Sequence, residues 1–407
     1  MDLMNKIKNR TAKICVIGIG YMGLPISAIF AKQGFQVLGF DIDNKKVELV
    51  NKGIPPFEEK GLSELMIEAG SKLKASNVIE QADIFFISVP TPKKNEEADL
   101  SFVKKAIESI FSVIENDNLV ILESTVPPKT IKQIIKPILD NKKINYYISH
   151  CPERAFPGNT IFELINNDRI IGGYDNRSTE ISKELYLSFV KGKIFTTDAT
   201  TAEFCKLAEN TFRDVNIALS NELAVICEDI GIDVWKLITL ANKHPRVNIL
   251  SPGPGVGGHC IPKDPVYLYK SSKKSKLIPV AREVNDSMPK HVVEIIKRSV
   301  KTKNNPKISL LGASFKKNVD DTRDSPTEFI AKMLIDEGFN IFIHDPLVIN
   351  FKYSLSSFEE CIKNSDLVVL LVDHDFYATK DFSTFKVFDT KNMIKTADIR
   401  LGVGEKL

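Results

Sequence analysis

The chain has 407 residues, 43% of them hydrophobic and 26% charged, with a formal net charge of +3. That length exceeds what one hydrophobic core usually serves, so two or three domains are expected, and the composition is that of an ordinary globular protein. The basic residues are scattered and nearly balanced by acidic ones, 55 against 52, which excludes a nucleic-acid or membrane-surface footprint. Residues 1–11 carry Lys6, Lys8 and Arg10 without an apolar run behind a cleavage site, so no signal peptide is expected. The longest apolar runs, 84–89 and 367–372, are strand-length and too short to span a bilayer. Cys15, Cys151, Cys205, Cys227, Cys260 and Cys361 lie far apart, with no pair at metal-ligand spacing. They read as reduced thiols of a cytoplasmic protein, and no metal site is expected.

In chain order, a β-rich run at 13–18 feeds straight into Gly18-Ile19-Gly20-Tyr21-Met22-Gly23. A helix follows over 24–33, then Gly34 as its stop, then a strand over 36–40 that ends at Asp41. This strand–helix–strand unit has the length of a parallel crossover. Further strands are predicted at 84–89, 118–123 and 146–150, each followed by a polar or proline-marked loop. The pattern is a doubly wound sheet.

From 201 to 230 the period becomes helical, and Gly231 ends the run. Leu207, Ala208, Thr211, Phe212, Val215, Ala218 and Leu219 are predicted to share one face. Such a long helix suits packing between domains or subunits. Lys206, Asn210 and Arg213 fall in a narrow arc opposite that stripe. A solvated polar face would have the same spacing. Asn210, Asn216 and Asn221, poor helix-interior choices, point instead to a stripe facing a polar ligand.

A second α/β unit then starts. KISLLG at 307–312 echoes KICVIG at 13–18, and GFNIFIHD at 338–345 echoes GFQVLGFD at 34–41. The second copy replaces the three-glycine loop with Gly312-Ala313-Ser314-Phe315-Lys316. The expected architecture is therefore α/β, two Rossmann-like doubly wound domains joined by a long central helical segment, with 302–306 as linker. The domains are placed at 1–198, 199–301 and 302–407.

The glycine loop works by geometry. Its first glycine permits the tight turn, the second admits the pyrophosphate to the backbone, and the third packs helix on strand. The helix N-terminus behind it favours the anion. Asp41, at the end of the second strand, suits ribose hydroxyls and repels a 2′-phosphate, so NAD is favoured over NADP. Cys260 stands in Gly255-Val256-Gly257-Gly258-His259-Cys260-Ile261-Pro262-Lys263-Asp264. A lone cysteine is commonly a small buried apolar residue. Here a glycine-rich loop with His259 and Lys263 nearby favours a thiolate nucleophile. Glu153, in Cys151-Pro152-Glu153-Arg154 after a strand, is a candidate general base or a plain loop carboxylate. The hydroxyls of Thr91 and Thr125 follow strands and either line the nicotinamide or sit in turns.

With these residues in hand, the chain resembles the UDP-glucose/GDP-mannose dehydrogenase family over nearly its full length. The segments that carry the resemblance are Val89-Pro90-Thr91-Pro92, Glu123-Ser124-Thr125, Cys151-Pro152-Glu153-Arg154 with Pro157-Gly158, and Asn167-Asp168-Arg169. KLAENTFRDVNIALSN at 206–221, NKHPRVN at 242–248, PGPGVGGHC at 252–260 and DDTRDSP at 320–326 complete it. The resemblance implies an NAD-binding N-terminal domain, a helical middle that builds a homodimer or a dimer of dimers, and a C-terminal domain for the UDP end. It also implies oxidation of a 6-hydroxyl to a carboxylate, with two NAD reduced.

By position, the resemblance makes Cys260 the nucleophile. Lys206 becomes the proton-handling or oxyanion group, helped by Asn210 and a water ordered by Asp264, and Glu153 the base for thioester hydrolysis. Gly18, Gly20, Tyr21, Met22, Gly23, Asp41, Lys46, Thr91, Thr125 and Arg323 would contact NAD. Arg154, Ala155, Lys206, Asn210, Arg213, His244, Arg246, Gly257, Phe315 and Lys316 would line the UDP-sugar site. The Arg154…Pro157-Gly158 and Asn167-Asp168-Arg169 pattern favours an N-acetylhexosamine, with UDP-N-acetyl-D-mannosamine the expected substrate. Pro262-Lys263 is instead shared with the UDP-glucose branch, which keeps UDP-glucose and UDP-N-acetylglucosamine open. A simple two-electron β-hydroxyacid dehydrogenase would need neither Cys260 nor a second nucleotide domain. A non-catalytic nucleotide-sugar sensor would need no nucleophile.

Overall fold

A computed structural model describes residues 2–155 and 158–404, so Pro157 lies outside the described residues. The chain divides into two compact units, residues 1–208 and 209–407.

The first unit is built on an eight-stranded sheet: β1 Lys13–Ile17, β2 Gln36–Phe40, β3 Leu73–Ser76, β4 Ile84–Ile87, β7 Asn118–Leu122, β8 Tyr146–His150, β9 Arg169–Gly173 and β10 Ile194–Asp198. A two-stranded hairpin, β5 Lys93–Lys94 and β6 Glu97–Ala98, lies apart from it. The order is β10-β9-β8-β7-β4-β1-β2-β3, parallel except for the antiparallel pair β8–β9. β4 (IFFI) and β7 (NLVIL) are buried along their whole length, as parallel strands covered on both faces must be.

The pleat distributes these side chains between two cores. Ile14, Val16, Phe86 and Ile121 meet Leu24, Ala28 and Phe30 of the helix Gly23–Lys32 on one face. Cys15, Ile17, Phe85 and Val120 meet Val103, Ile107 and Ile110 of the helix Ser101–Val113 on the other. The predicted bounds of β2 and β8 agree with the structure residue for residue.

The second unit carries a five-stranded parallel sheet in the order β12-β11-β13-β14-β15. Its strands are β11 Lys307–Leu311, β12 Asn340–His344, β13 Leu367–Leu370, β14 Val387–Asp389 and β15 Ile399–Arg400. Ile308, Leu310, Leu367 and Val369 pack on Ile330 and Leu334 on one face. Leu311, Val368 and Leu370 pack with Phe358 and Tyr377 on the other. The helix Leu277–Val300 precedes this sheet, and residues 301–306 link the two.

The long helix runs over Ala199–Ile230, and Gly231 follows it at φ 75°. Its expected apolar face is split. Leu207, Thr211 and Ala218 are buried, whereas Phe212 is 67% and Leu219 46% exposed. The reason is a polar core beneath the helix. Arg282 Nη1 donates to Asp214 at 2.5 Å, and Asn285 Nδ2 donates to Asp214 Oδ1 at 2.8 Å. Asn221 Nδ2 donates to Asn285 at 2.9 Å, while Gly253 N–H donates to Asn221 Oδ1 at 2.9 Å. Asn221 is therefore a buried strut between helices and loop, not part of a ligand-facing stripe. Asn216 turns its amide back onto Phe212 O. No helix among the described residues is long and apolar enough to cross a membrane.

Candidate active site

In the first unit, the glycine loop sits where the strand order reverses, between β1 and β4. A Cβ on Gly18 would lie 2.5 Å from Ser88 O, and one on Gly23 would lie 1.8 Å from Gly18 O. Both positions therefore exclude side chains. A Cβ on Gly20 would meet nothing within 4 Å, which leaves its backbone open to an approaching ligand. Asp41 is nearly buried; its Oδ2 accepts from Ile19 N–H at 3.2 Å and its Oδ1 from Asp43 N–H at 3.0 Å. Lys46 Nζ stands 3.6 Å from Asp41 Oδ2. A carboxylate has about four acceptor sites, so Asp41 retains capacity for ribose hydroxyls. Thr91 Oγ1 donates to Thr125 O at 2.7 Å, joining the loops after β4 and β7. Tyr21 is 58% exposed, with its ring centroid 4.4 Å from that of Phe57. Met22 packs on the core beneath. The cradle fits a dinucleotide pyrophosphate and adenosine ribose.

Beside it, at the ends of β7 and β8, lies a buried polar group of residues. Glu153 Oε1 accepts from the N–H groups of Arg154, at 2.6 Å, and of Ala155, while its Oε2 accepts from Arg169 Nη1 at 2.7 Å. Among the described residues three donors thus engage its roughly four acceptor sites, which leaves capacity for a substrate or water proton. Arg154 Nη1 donates to Asp168 O at 3.0 Å. Ala155 packs on the core.

Burial pushes the imidazole of His150 down to about 3; the nearby Leu122 backbone opposes this and the Lys206 charge adds to it. Burial also raises Glu123, which sequence reasoning quoted only as part of a segment, to about 8; Glu153 adds to the rise, and Arg169 and Ser88 oppose it. Glu203 lies on the long helix and was missed altogether. It accepts from Ile131 N–H at 2.8 Å and Lys129 N–H at 2.5 Å. The only signal for it in the sequence was an acidic residue on the buried side of a helix.

In the second unit, Cys260 is exposed, which removes the reading of a buried apolar residue. Its carbonyl accepts from Lys263 N–H at 3.1 Å and Asp264 N–H at 2.9 Å, so the loop turns directly into the helix Asp264–Lys270. Asn210 Nδ2 donates to Asp264 Oδ2 at 2.6 Å. Lys263 is nearly buried; burial lowers its pKa, against the pull of Asp264 and Cys260. Its Nζ lies 3.3 Å from His259 Nε2. Burial, then Lys263 and Arg323, push His259 down to about 4, so the ring is neutral near pH 7.

The glycines of this loop are forced by contact. A Cβ on Gly257 would lie 2.5 Å from Asp324 O, and one on Gly258 would lie 2.8 Å from the Phe315 ring. Arg323 pairs with Asp321 through Nε and Nη2, and Lys316 O accepts from Ser314 Oγ. Arg213 is exposed on the long helix, and Lys206 is half-buried on its first-unit portion. His244 and Arg246 lie on the exposed loop after the helix Val234–Ala241, where Arg246 N–H donates to His244 Nδ1 at 3.3 Å. The structure thus forms two groupings: the cradle with the Glu153 residues in one unit, and the Cys260 loop with Asn210 and Asp264 in the other.

A dinucleotide cradle, joined in one chain to a glycine-rich loop with an exposed thiol, defines an NAD-dependent oxidoreductase. The comparisons narrow this class. Residues 12–190 match the NAD-binding domain of the UDP-glucose/GDP-mannose dehydrogenase family, 200–287 its central domain and 309–396 its UDP-binding domain. A Methanocaldococcus jannaschii protein named UDP-N-acetyl-D-mannosamine dehydrogenase is 49% identical, covering 96% of this chain and 95% of that one. A Ralstonia nicotianae protein named NDP-N-acetyl-D-galactosaminuronic acid dehydrogenase is 40% identical, covering 97% of this chain and 98% of that one. The solved structure of a Pyrococcus horikoshii UDP-D-ManNAc dehydrogenase superimposes with a TM-score of 0.91 at 35% identity, covering 97% of this chain and 100% of that one. The chain belongs to the UDP-glucose/GDP-mannose dehydrogenase family and is an NAD-dependent nucleotide-sugar dehydrogenase.

Proposed function

We propose that this enzyme oxidises the 6-hydroxyl of UDP-N-acetyl-D-mannosamine to UDP-N-acetyl-D-mannosaminuronate in two steps, with Cys260 holding the half-oxidised sugar. The 49% identity to a relative named for that substrate is the observation that carries this reading. Bound NAD supplies the hydride acceptor at each oxidation. The Cys260 sulfur adds to the C6 aldehyde carbon and the carbonyl oxygen takes a proton, giving a thiohemiacetal. Loss of the second hydride from C6, with the thiohemiacetal's hydroxyl proton released to solvent, leaves a thioester. Water then adds to its carbonyl carbon, the C–S bond breaks, and the carboxylate leaves as the thiolate returns.

The residues are suited to these roles. A cation beside a thiol favours the thiolate, and the Lys263 ammonium feels the Cys260 charge. Asp264 engages one Nδ2–H of Asn210, leaving the other to bond the oxyanion together with Lys206. Glu153 retains acceptor capacity for the hydrolytic water's proton.

In this reading the three domains take residues 1–198, 199–301 and 302–407, acting in the cytoplasm to supply a uronate for a surface polysaccharide. Exposed Phe212, Leu219 and Ile226 recur every seventh residue, a seam suited to a second copy of the long helix in a homodimer. Pro262-Lys263 supports the same chemistry on UDP-glucose or UDP-N-acetylglucosamine as the second reading.

The test is to count NADH formed per sugar with a panel of UDP-sugars. Two per UDP-N-acetyl-D-mannosamine supports the proposal, and preference for another sugar supports the second reading. One per sugar would sink the four-electron mechanism, and none with any sugar would favour a sensor. Cys260→Ala should abolish uronate formation while NAD binding survives.

A further inference from the structure

The buried polar residues at the ends of β7 and β8 hold an imbalance of charge. Arg169 is 2% exposed and supplies one positive charge. Its Nη1 is committed to Glu153 Oε2 at 2.7 Å and its Nη2 to Leu164 O at 3.3 Å, while its Nε has no hydrogen-bond partner. Two carboxylates face it. Glu153 already holds the Nη1 of Arg169 on its Oε2 and two backbone N–H groups on its Oε1. Glu123, at the end of β7, is also 2% exposed, and neither of its oxygens has a hydrogen-bond partner. The other groups that face Glu123 are Ser88, Cys151 and Tyr186. Burial drives both the Cys151 thiol and the Tyr186 phenol upward, so both stay neutral. Arg169 is therefore the one cation among them, and Glu153 already pairs with it.

An ionised carboxylate buried without a partner is far more costly than a neutral one, and such groups take up a proton instead. We propose that Glu123 is a carboxylic acid held neutral in the interior, a positioning residue that leaves Arg169 undivided on Glu153. When the Glu123 O–H bond breaks and its proton passes to solvent, a second carboxylate competes for the guanidinium. Glu153 is then loosened from the geometry its three bonds impose. Burial, reinforced by Glu153, moves Glu123 from its ordinary 4.5 to about 8, so this competition begins above neutrality. The neutral state of Glu123 does not depend on any assigned role. Its effect on turnover rests on the proposed role of Glu153 as base.

The sign of the stability effect follows from linkage. Below about pH 4.5 the folded and unfolded chains both hold this proton. Between 4.5 and about 8 only the folded chain holds it, so the wild type loses stability as pH rises through that window and levels off above it. Glu123→Gln has no proton to lose. Its melting temperature should gain on the wild type across that window, by several degrees at about pH 8, with no gain at low pH. Infrared difference spectra at about pH 6 should show a protonated carboxyl carbonyl band in the wild type that is missing in E123Q. Glu203→Gln serves as the control for the other raised glutamate.

The ratio of kcat at about pH 9 to kcat at about pH 7 should rise in E123Q, because the alkaline limb due to Glu123 is removed. A wild type without a protonated carboxyl band overturns the proposal even where E123Q fails to fold, and so does a band unchanged in the variant. Glu123→Met, neutral and similar in length, repeats the stability measurement should E123Q not fold; a melting curve parallel to the wild type's at every pH also overturns it. If band and stability behave as expected but the kcat ratio is unmoved, the link to Glu153 is wrong and the charge state stands.

Discussion

At the end of β1, Gly18 N–H donates to Phe40 O at 2.8 Å; at the end of β11, Gly312 N–H donates to His344 O at 2.8 Å. In both folds the turn glycine is pressed against the strand across the switch point. A Cβ on Gly312 would lie 2.4 Å from Val372 Cβ, as one on Gly18 would lie 2.5 Å from Ser88 O. In both, the aspartate ending the second strand accepts from the residue after the glycine: Ile19 N–H to Asp41 at 3.2 Å, and Ala313 N–H to Asp345 at 2.7 Å.

The resemblance stops there. Asp41 keeps acceptor capacity, and Gly20 opens onto space. Asp345 also accepts from Ser314 N–H at 3.1 Å, Leu347 N–H at 2.9 Å, Val348 N–H at 3.0 Å and His374 Nε2 at 3.1 Å. His374 Nδ1 accepts from Asn318 N–H at 3.0 Å, which places the ring proton on Nε2, towards Asp345. The second fold has turned its cofactor carboxylate into an internal strut. One strand–turn–strand frame thus serves either recognition or stability, depending on whether the protein itself consumes the aspartate.

The largest effect that would test this comparison comes from the helix-opening glycine. Gly23→Ala forces a Cβ onto Gly18 O and should remove measurable NAD binding by calorimetry, with about 1–3 kcal/mol of destabilisation. Retained binding would mean that the cradle is not the cofactor site.

Next, the two aspartates should separate cleanly. Asp345→Ala should lower stability by about 2–5 kcal/mol in denaturant titrations while leaving NAD affinity unchanged, because it strands buried donors. Asp41→Ala should cost about 1.5–3 kcal/mol of NAD affinity with a smaller change in stability. Equal losses of stability in the two variants would erase the distinction.

A smaller effect is expected from acid. Burial opposes ionisation of Asp345, but the His374 bond and the loop N–H groups outweigh it and hold the carboxyl down to about 2. A depressed carboxylate contributes stability above its unfolded value, and that contribution is lost as pH falls through about 2. The melting-temperature difference between wild type and D345A should therefore shrink between about pH 4 and pH 2. The smallest effect belongs to Lys46→Ala. Its pair with Asp41, 3.6 Å apart and partly exposed, should be worth at most about 1 kcal/mol, read as a few-fold change in NAD affinity.

Much of the frame was legible because local chemistry decides it. Gly34 sits at φ 104° ahead of β2, and Gly312 at φ 98° after β11, conformations that mark element ends in the sequence itself. Apolar runs buried on both faces made β4 and β7 recognisable. Short or polar strands such as β3 (LKAS) and β10 (IFTTD) went unread because pairing, not pattern, makes them strands. The long helix was read correctly in extent but not in facing. Phe212 and Leu219 are exposed while Asp214 and Asn221 are buried, since a partner helix supplies Arg282 and Asn285 for the polar groups.

The sequence by itself determined the two α/β repeats, the glycine turn with Asp41, and the loop that carries Cys260, because turn glycines and hydrophobic periods act over a few residues. Only the tertiary structure decided that Cys260 is exposed and that Asn210 is bonded to Asp264. It alone also decided that Asp345 is spent on its own loop and that Glu123 stands without a hydrogen-bond partner beside the Arg169–Glu153 pair. Those outcomes depend on which side chains arrive from distant strands, and on what burial does to a charge once they have met.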